Sequence, residues 1–542
     1  MIVSKLDEES LFRNIYATIL RLLHTIEPLK LSQLFYRPIF KFKQITAPDI
    51  ADNSLRKVAA ILKKELDFQK DFKVTFNFLN NEKSFPVSKI PWDSQAFDEK
   101  PEKLWVYNLN YFDFLSDSTY SDSLKQYLIL DWIEKNTGRS EGAEPYPTSR
   151  RIFSWLDFIA LGKLPEKTAE CIKASLSRQY CNLKRNPEKH LDANHLSLNL
   201  LACFYYASFN ADDIKEDLCF FADEITENLS KQFLSDGCHC ERSLMYHKEL
   251  LHFTSKVYQK AEALNKAEMT PELARLAVIL KKILQKGKDF AAIMTFPDGY
   301  CVQFGDSAKV PNKYVHKQLI KIFKKSGFLV YKKNKITFFM KLSGPSPDYN
   351  PGHSHCDLSS YELAINNKRI ITDTGCFSYQ DPVSRNFSRS SYAHNIAMVE
   401  GTEQSDFWGA FRFGKRAKLI RRLKNAAKDS FTAIYEDRYQ QRFLRQVHFG
   451  DDFIKFEDRL IVRTMQGAFI SLVHLAPGFK IKEESNNCFL ISNSDTSFKI
   501  ITDCRLRQTE SPYYPEFGKS ISRNKLILSN AGNDYIEYTI RF

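Results

Sequence analysis

The sequence predicts a multidomain chain, α then β: a helical toroid or solenoid first, an antiparallel β-sandwich second. Three observations predict this. A chain of 542 residues is too long for one ordinary core, so two or three domains are expected. Up to about residue 293 the apolar residues recur at helical spacing. From Gly327 onward the pattern has period two, broken by Asn, Asp, Gly and Lys turns.

Taken in order, residues 1–95 read as a helical segment. LFRNIYATILRLLHTI places Leu11, Ile15, Ile19 and Leu22 on one helical face, and SLRKVAAILKKEL behaves alike. Residues 96–315 read as the toroid domain, with DSLKQYLILDWIEKN, RIFSWLDFIALGKL, AECIKASLSRQYCNL, NHLSLNLLACFYYASF, DLCFFADEITENLSKQFL and later segments of similar length. Short polar turns join them, and no TPR or ankyrin repeat is visible. WVYNLNYFDFL (105–115) is dense in aromatics and Asn. The texture changes near FPDGYCVQFGDSAK (296–309), and residues 316–542 carry short strands such as FLVYKKNKITFFMKL, YELAINNKRIITD and KLILSNAGNDYIEYTIRF. Strand runs without intervening helices imply an antiparallel sandwich rather than βαβ units. Domain junctions commonly hold ligand sites, which predicts one here.

Composition narrows the partners. Hydrophobic content of 43% and charged content of 26% fit a soluble globular protein. Lys and Arg outnumber Asp and Glu by 78 to 65, a net +13 that suits a polyanion such as an acidic polysaccharide. The cations are dispersed and no nucleic-acid module is recognisable, so no nucleic-acid partner is expected. The densest basic run, RFGKRAKLIRRLKNAAK (412–428), reads as a solvated strand face or a ligand groove. The 43 Phe and 25 Tyr serve cores, pockets or sugar-stacking surfaces. Eleven cysteines without paired spacing imply reduced thiols, and CHC at 238–240 has no second pair nearby to complete a metal site. The N-terminus lacks a secretory pattern and no run of about 18 apolar residues occurs, so no membrane span is expected. A bacterial cytoplasmic location is the expectation, the periplasm being reached only by another export route.

Four stretches gather polar groups against an apolar background. LDANHLSLNLL (191–201) holds Asn194 and His195 at a helix start, and DGCHCERSLMYHKELL (236–251) holds Glu241, Arg242, Tyr246 and His247. DYNPGHSHCDLSSYELAINNKRIITDTGCFSY (348–379) holds His353, His355 and Asp373. RNFSRSSYAHNIAMVEGTEQSDFW (385–408) holds Arg389, His394, Asn395 and Gln404. Each has a plain structural reading: an Asn–His pair caps a helix, a buried Tyr satisfies a hydrogen bond, a lone His packs. His353 and His355 are spaced i, i+2 and share a side in extended chain. Asp373 closes the next strand and His394 follows a further turn. Two histidines and a carboxylate can hold Zn²⁺ with a fourth position left to water or another group, and the residues alone leave metal and metal-free readings equally open.

Together, ANH, DGCHCERSLMYH, GHSHCDLSSYELAINNKRIITDTG and RSSYAHNIAMVEGTEQSDFW resemble the heparinase II/III family of polysaccharide lyases, related to the alginate and oligoalginate lyases. Weaker echoes in WVYNLNYFDFL and PYPTSRRIFSW extend the resemblance over about residues 100–410. It implies an (α/α) toroid followed by an antiparallel β-sandwich, in agreement with the periodicities. It also implies β-elimination on a uronate-containing polysaccharide, a glycosaminoglycan or an exopolysaccharide. By this resemblance Asn194, with His195, neutralises the uronate carboxylate, Tyr246 serves as base and acid, and His353 is its partner from the β-domain. His355, Asp373 and His394 match the family's zinc ligands, implying a structural Zn²⁺ that pins the loop carrying His353. Arg150, Glu241, Arg242, Arg389 and Gln404 are expected to contact substrate.

A tyrosine base needs cationic neighbours, for which Arg242, His247 and the expected zinc region are the sources. Two other functions remain open at this level. One is a glycoside hydrolase using a carboxylate pair among Asp192, Asp236 and Glu241. The other is a non-catalytic acidic-glycan-binding protein of a capsule or exopolysaccharide biosynthesis system.

Overall fold

The computed structural model describes residues 15–45, 51–69, 71–136, 139–268, 270–316, 318–425 and 429–542. Leu11, the first fourteen residues of the stretch read for a secretory signal, and residues 426–428 at the end of the basic run lie outside these. The chain divides into two compact units, one helical and one built on β-sheets.

The helical unit comprises Lys30–Phe233 and Glu249–Gln285. Its helices include Asn53–Lys64, Asp122–Lys135, Pro145–Ala160, Glu166–Arg185, Ala193–Ser208 and Lys215–Gln232. Local chemistry sets their starts. Asp52 accepts from Leu55 N–H, Ser121 accepts from Leu124 N–H, and Pro145 occupies the first turn of its helix. One apolar cluster joins Trp105, Trp132, Trp155, Phe112 and the inward faces of these helices. Arg151 is buried within it, its guanidinium 3.9 Å over the Trp132 ring and bonded to Gln179, Asn110 O and Gly142 O. The stretch 1–95 is not wholly helical: Lys73–Phe78 and Asn81–Pro86 form an antiparallel hairpin. Leu79 and Asn80, with φ of 56° and 55°, make its two-residue turn, and Val74 and Phe76 supply its buried face.

The β unit comprises the described residues up to Leu29, Leu234–Lys248 and Lys286–Phe542. It begins well before residue 316 because Leu244, Phe290, Met294, Phe296 and Phe304 pack against Phe328, Val330 and Phe339. All strand ladders are antiparallel. A five-stranded sheet runs in sequence order from Leu319–Phe323 to Lys368–Ile371. Eight- and four-stranded sheets complete the sandwich, and one core draws on all three. Period two is visible in that packing. Ile336, Phe338 and Met340 enter the sandwich core, while Phe339 between them faces Phe296 on the other side. Lys418–Asn425 is the edge strand of the eight-stranded sheet and is mostly exposed, so this part of the basic run is a solvated strand face. Among the described residues no helix is long and apolar enough to cross a membrane.

Candidate active site

The loop between strands Ile336–Lys341 and Tyr361–Ile365 carries His353 and His355, and both converge on Asp306. His353 Nδ1 donates to Asp306 Oδ2 at 2.9 Å, and His355 Nε2 donates to Oδ1 at 2.8 Å. Arg385 brackets the same carboxylate through both terminal nitrogens, Nη2 at 3.0 Å from Oδ2. Burial alone would raise the Asp306 pKa, yet Arg385 and the two histidines hold it well below the carboxylate range. Gly305 lets this approach happen: its φ is +64°, and a Cβ there would come within 2.8 Å of His353 O. The Asp306 N–H then bonds to that same carbonyl at 3.0 Å. With Nδ1 engaged, His353 presents Nε2 as its working atom, and Glu241 Oε2 lies 4.0 Å from it.

Helix Leu244–Glu268 starts beside this cluster and places Tyr246 over His353, ring centroids 4.0 Å apart. Tyr246 Oη and Tyr379 Oη share a hydrogen bond of 2.6 Å. Burial, and then the neighbouring Tyr246, push the Tyr379 phenol well above its ordinary pKa, so Tyr379 keeps its proton and is able to donate it to Tyr246 Oη. His247 is not the cation expected next to Tyr246. Its Nδ1 accepts from His239 N–H at 3.1 Å and its Nε2 donates to Gly287 O at 2.9 Å, and burial pushes its pKa down to about 3. Its folded pKa lies below the unfolded value of about 6.5, so the unfolded chain takes up a proton that the folded chain refuses. Stability is therefore lost as pH falls from about 6.5 towards 3. Urea titrations between pH 6 and pH 4 should show the His247→Gln variant losing stability less steeply than the parent, by about 1.4 kcal/mol per pH unit. Equal slopes would mean that His247 is already protonated in the native state.

Of the three residues matched to zinc ligands, His355 shares the Asp306 carboxylate with His353. His394 Nδ1 is 2.8 Å from Asp373 Oδ1, and the His355 and His394 rings are 5.3 Å apart. Among the described residues no group of three His, Cys, Asp or Glu side chains is arranged to hold a metal ion. The donor chemistry nevertheless fits zinc. His355 Nδ1 and His394 Nε2 are buried nitrogens without a hydrogen-bond partner. Burial pushes His355 down to about 4 against the pull of Asp306, which leaves Nδ1 a bare lone pair.

In the helical unit, Asn194 and His195 open helix Ala193–Ser208, as expected from ANH. Asn194 is buried, while His195 lies against the Tyr146 ring at 4.6 Å with Nδ1 3.1 Å from Glu188 Oε1. The chain enters this helix through two non-glycine residues at positive φ, Asp192 at 59° and Ala193 at 48°. Such backbone costs roughly 1–3 kcal/mol per residue and clusters at functional sites. Arg150 is held by Asp113 and Glu249 and stacks over Tyr111 at 4.7 Å.

Two of the residues expected to contact substrate are bonded to backbone. Arg389 is buried, donating to Gly409 O and Arg412 O at 2.7 and 2.8 Å between the Phe407 and Phe413 rings. Gln404 is buried with its amide paired to the backbone N–H and C=O of Leu358. Gln404 thereby satisfies both main-chain groups of the buried Leu358. Arg242, at φ 58°, turns its guanidinium towards Lys325 O at 3.4 Å. Asp306, Tyr379 and Arg385 belong to the cluster without having been singled out.

Two family models match the chain: Heparinase II/III N-terminus over residues 218–331, and Heparinase II/III-like, C-terminal over residues 316–539. No curated protein matches the sequence. Among solved structures the chain is similar to heparinase III, with 14% identity, a TM-score of 0.68, and 90% of this chain and 84% of that one covered. A mutant of heparan sulfate lyase HepC from Pedobacter heparinus is similar at 16% identity and a TM-score of 0.60, covering 93% and 87%. A chondroitinase AC lyase is similar at 11% identity and a TM-score of 0.50, covering 93% and 82%. At these identities the structural likeness establishes the fold, a helical toroid with an antiparallel β domain. The family matches together run from residue 218 to 539, leaving Asn194 and His195 outside but taking in Tyr246, Asp306, His353 and Arg385. On that span, more than half of its length, the chain belongs to the heparinase II/III-like family of polysaccharide lyases.

Proposed function

We propose that this chain cleaves a uronate-containing polysaccharide by β-elimination, with Tyr246 and His353 moving protons and Asn194 with His195 neutralising the carboxylate. The observation that carries this is the close packing of the Tyr246 ring on His353, centroids 4.0 Å apart and planes inclined at 32°, each tied to its own partner, Tyr379 and Asp306. Elimination removes the C5 proton beside a carboxylate and expels the sugar oxygen at C4. The charge that builds on the carboxylate needs donors that add no negative charge, which an amide and an imidazole N–H provide. A base must reach C5 and an acid must reach O4. Tyr246, hydrogen-bonded to Tyr379, and His353 through Nε2 are two such groups side by side. The epimer at C5 decides which of them faces the proton.

The engagement of two of the three carboxylates weighed for hydrolysis supports elimination instead. Asp236 accepts from both the N–H and the hydroxyl of Ser326, and Asp192 is engaged by Lys30, Gln232 and its own helix start. The solved relatives are named for heparan sulfate and chondroitin, which makes glycosaminoglycans the first substrates to test. Incubation with a panel of acidic polysaccharides should produce ultraviolet absorbance from the C4–C5 double bond. New reducing ends without that absorbance would establish hydrolysis, and tight binding without either would establish a binding protein.

Zinc is part of this proposal. His355, Asp373 and His394 would hold it, pinning the loop on which His353 sits two residues away. The ion would orient rather than react. Elemental analysis of the purified protein should give about one zinc per chain, lost in His355→Ala. A metal-free protein that melts no lower after chelation would remove zinc from the proposal.

A further inference from the structure

Residues Asp406–Gly414 fold back as a small hairpin, Phe407–Trp408 paired with Arg412–Phe413. Two buried arginines hold its inner side. Arg389 binds Gly409 O and Arg412 O, and Arg385 Nε binds Ala410 O at 2.9 Å. Since Arg385 also brackets Asp306, the tip is tied to the group that orients His353. The outer side is braced by the helical residues 15–26. Arg21 binds both Asp406 oxygens at 2.9 and 2.8 Å, and Trp408 Nε1 donates to Thr25 Oγ1 at 3.1 Å.

Phe411 stands at the tip. Its ring lies 6.0 Å from His353, 5.2 Å edge-on from Tyr379 and 5.3 Å from the Arg385 guanidinium. Its Cβ rests on Gly352, where a side chain would come within 3.3 Å. Yet Phe411 is 44% exposed, and no other ring among the described residues touching His353 is so open. A large aromatic anchored this firmly and left half uncovered is not filling a core. The flat apolar face of a pyranose is its natural complement.

We propose that Phe411 is a sugar-stacking residue. Its open face receives the ring of the saccharide next to the one whose C5 meets Tyr246 and His353. This rests on the lyase reading for its ligand, the chain of an acidic polysaccharide. The test uses tetrasaccharides prepared from heparan sulfate and chondroitin sulfate, whichever the parent protein cleaves. Phe411→Ala should raise KM about tenfold with kcat within about threefold, and Phe411→Tyr or Phe411→Trp should restore KM. Loss of kcat with unchanged KM would overturn the stacking role and make Phe411 a positioning residue for His353. Binding to the same tetrasaccharides by calorimetry separates this from the lyase reading. If nothing is cleaved but Phe411→Ala still weakens binding about tenfold, elimination fails and stacking stands. If Phe411→Ala binds as tightly as the parent while melting at the same temperature, or if neither binds, stacking fails.

Discussion

Asp306→Asn should lower kcat/KM by about 10³-fold or more, the largest loss expected from a residue that need not touch substrate. The carboxylate accepts from His353, His355 and both terminal nitrogens of Arg385, and it is fully buried. An amide offers one accepting oxygen and turns an NH₂ towards the other donors. If that NH₂ faces His353, Nδ1 must become the acceptor and the proton moves to Nε2, the atom that has to be free to take a proton. Arg385 would then be a buried cation with a neutral partner. Losing one member of such a pair costs about 3–5 kcal/mol, so the variant should also melt earlier. Asp306→Glu keeps the charge and should recover stability more than rate. Steady-state kinetics on the cleaved polymer, with urea melts of the same samples, separate the two effects. A variant within tenfold of the parent rate would show that His353 does not depend on Asp306.

Much of the architecture was legible because periodicity reports which face is buried. The helical half and the sandwich follow from 3.6- and 2-residue patterns, and the core confirms them in Ile336, Phe338 and Met340. The hairpin at residues 73–86 was hidden because its alternation is brief and lies between two helical runs. That Phe290, Met294 and Phe296, ahead of residue 316, pack with the β unit was not legible, because they look alike whichever core they join; only contact with Phe328 and Phe339 assigns them. The candidate site was legible where its residues crowd together in sequence, as in DGCHCERSLMYH and GHSHC. Asp306 stands alone in FGDSAK, 47 positions from His353, with no local pattern to mark it. The one available signal was the glycine before it in a buried apolar run. Arg385 and Arg389 lie one turn apart on the same short helix, and helical register alone decides that the first meets Asp306 and the second meets backbone.

Tyr246→Phe should lower kcat by about 10²- to 10⁴-fold while leaving substrate affinity and melting behaviour close to the parent's. The phenyl ring keeps its place over His353, so what is removed is the oxygen and its proton. Tyr379 tests whether that oxygen is prepared by its neighbour. The two phenol oxygens share a 2.6 Å hydrogen bond, and burial holds the Tyr379 proton in place, available to an ionised Tyr246. Tyr379→Phe alone should cost about tenfold in kcat, the order of one hydrogen bond of roughly 1.4 kcal/mol in the transition state. If Tyr379 acts only through Tyr246, the double variant should be no slower than Tyr246→Phe, because the group it assists is already gone. An additive loss would mean that Tyr379 reaches the sugar itself. A Tyr246→Phe protein with near-parental kcat would leave His353 as the sole proton carrier and end the two-residue mechanism.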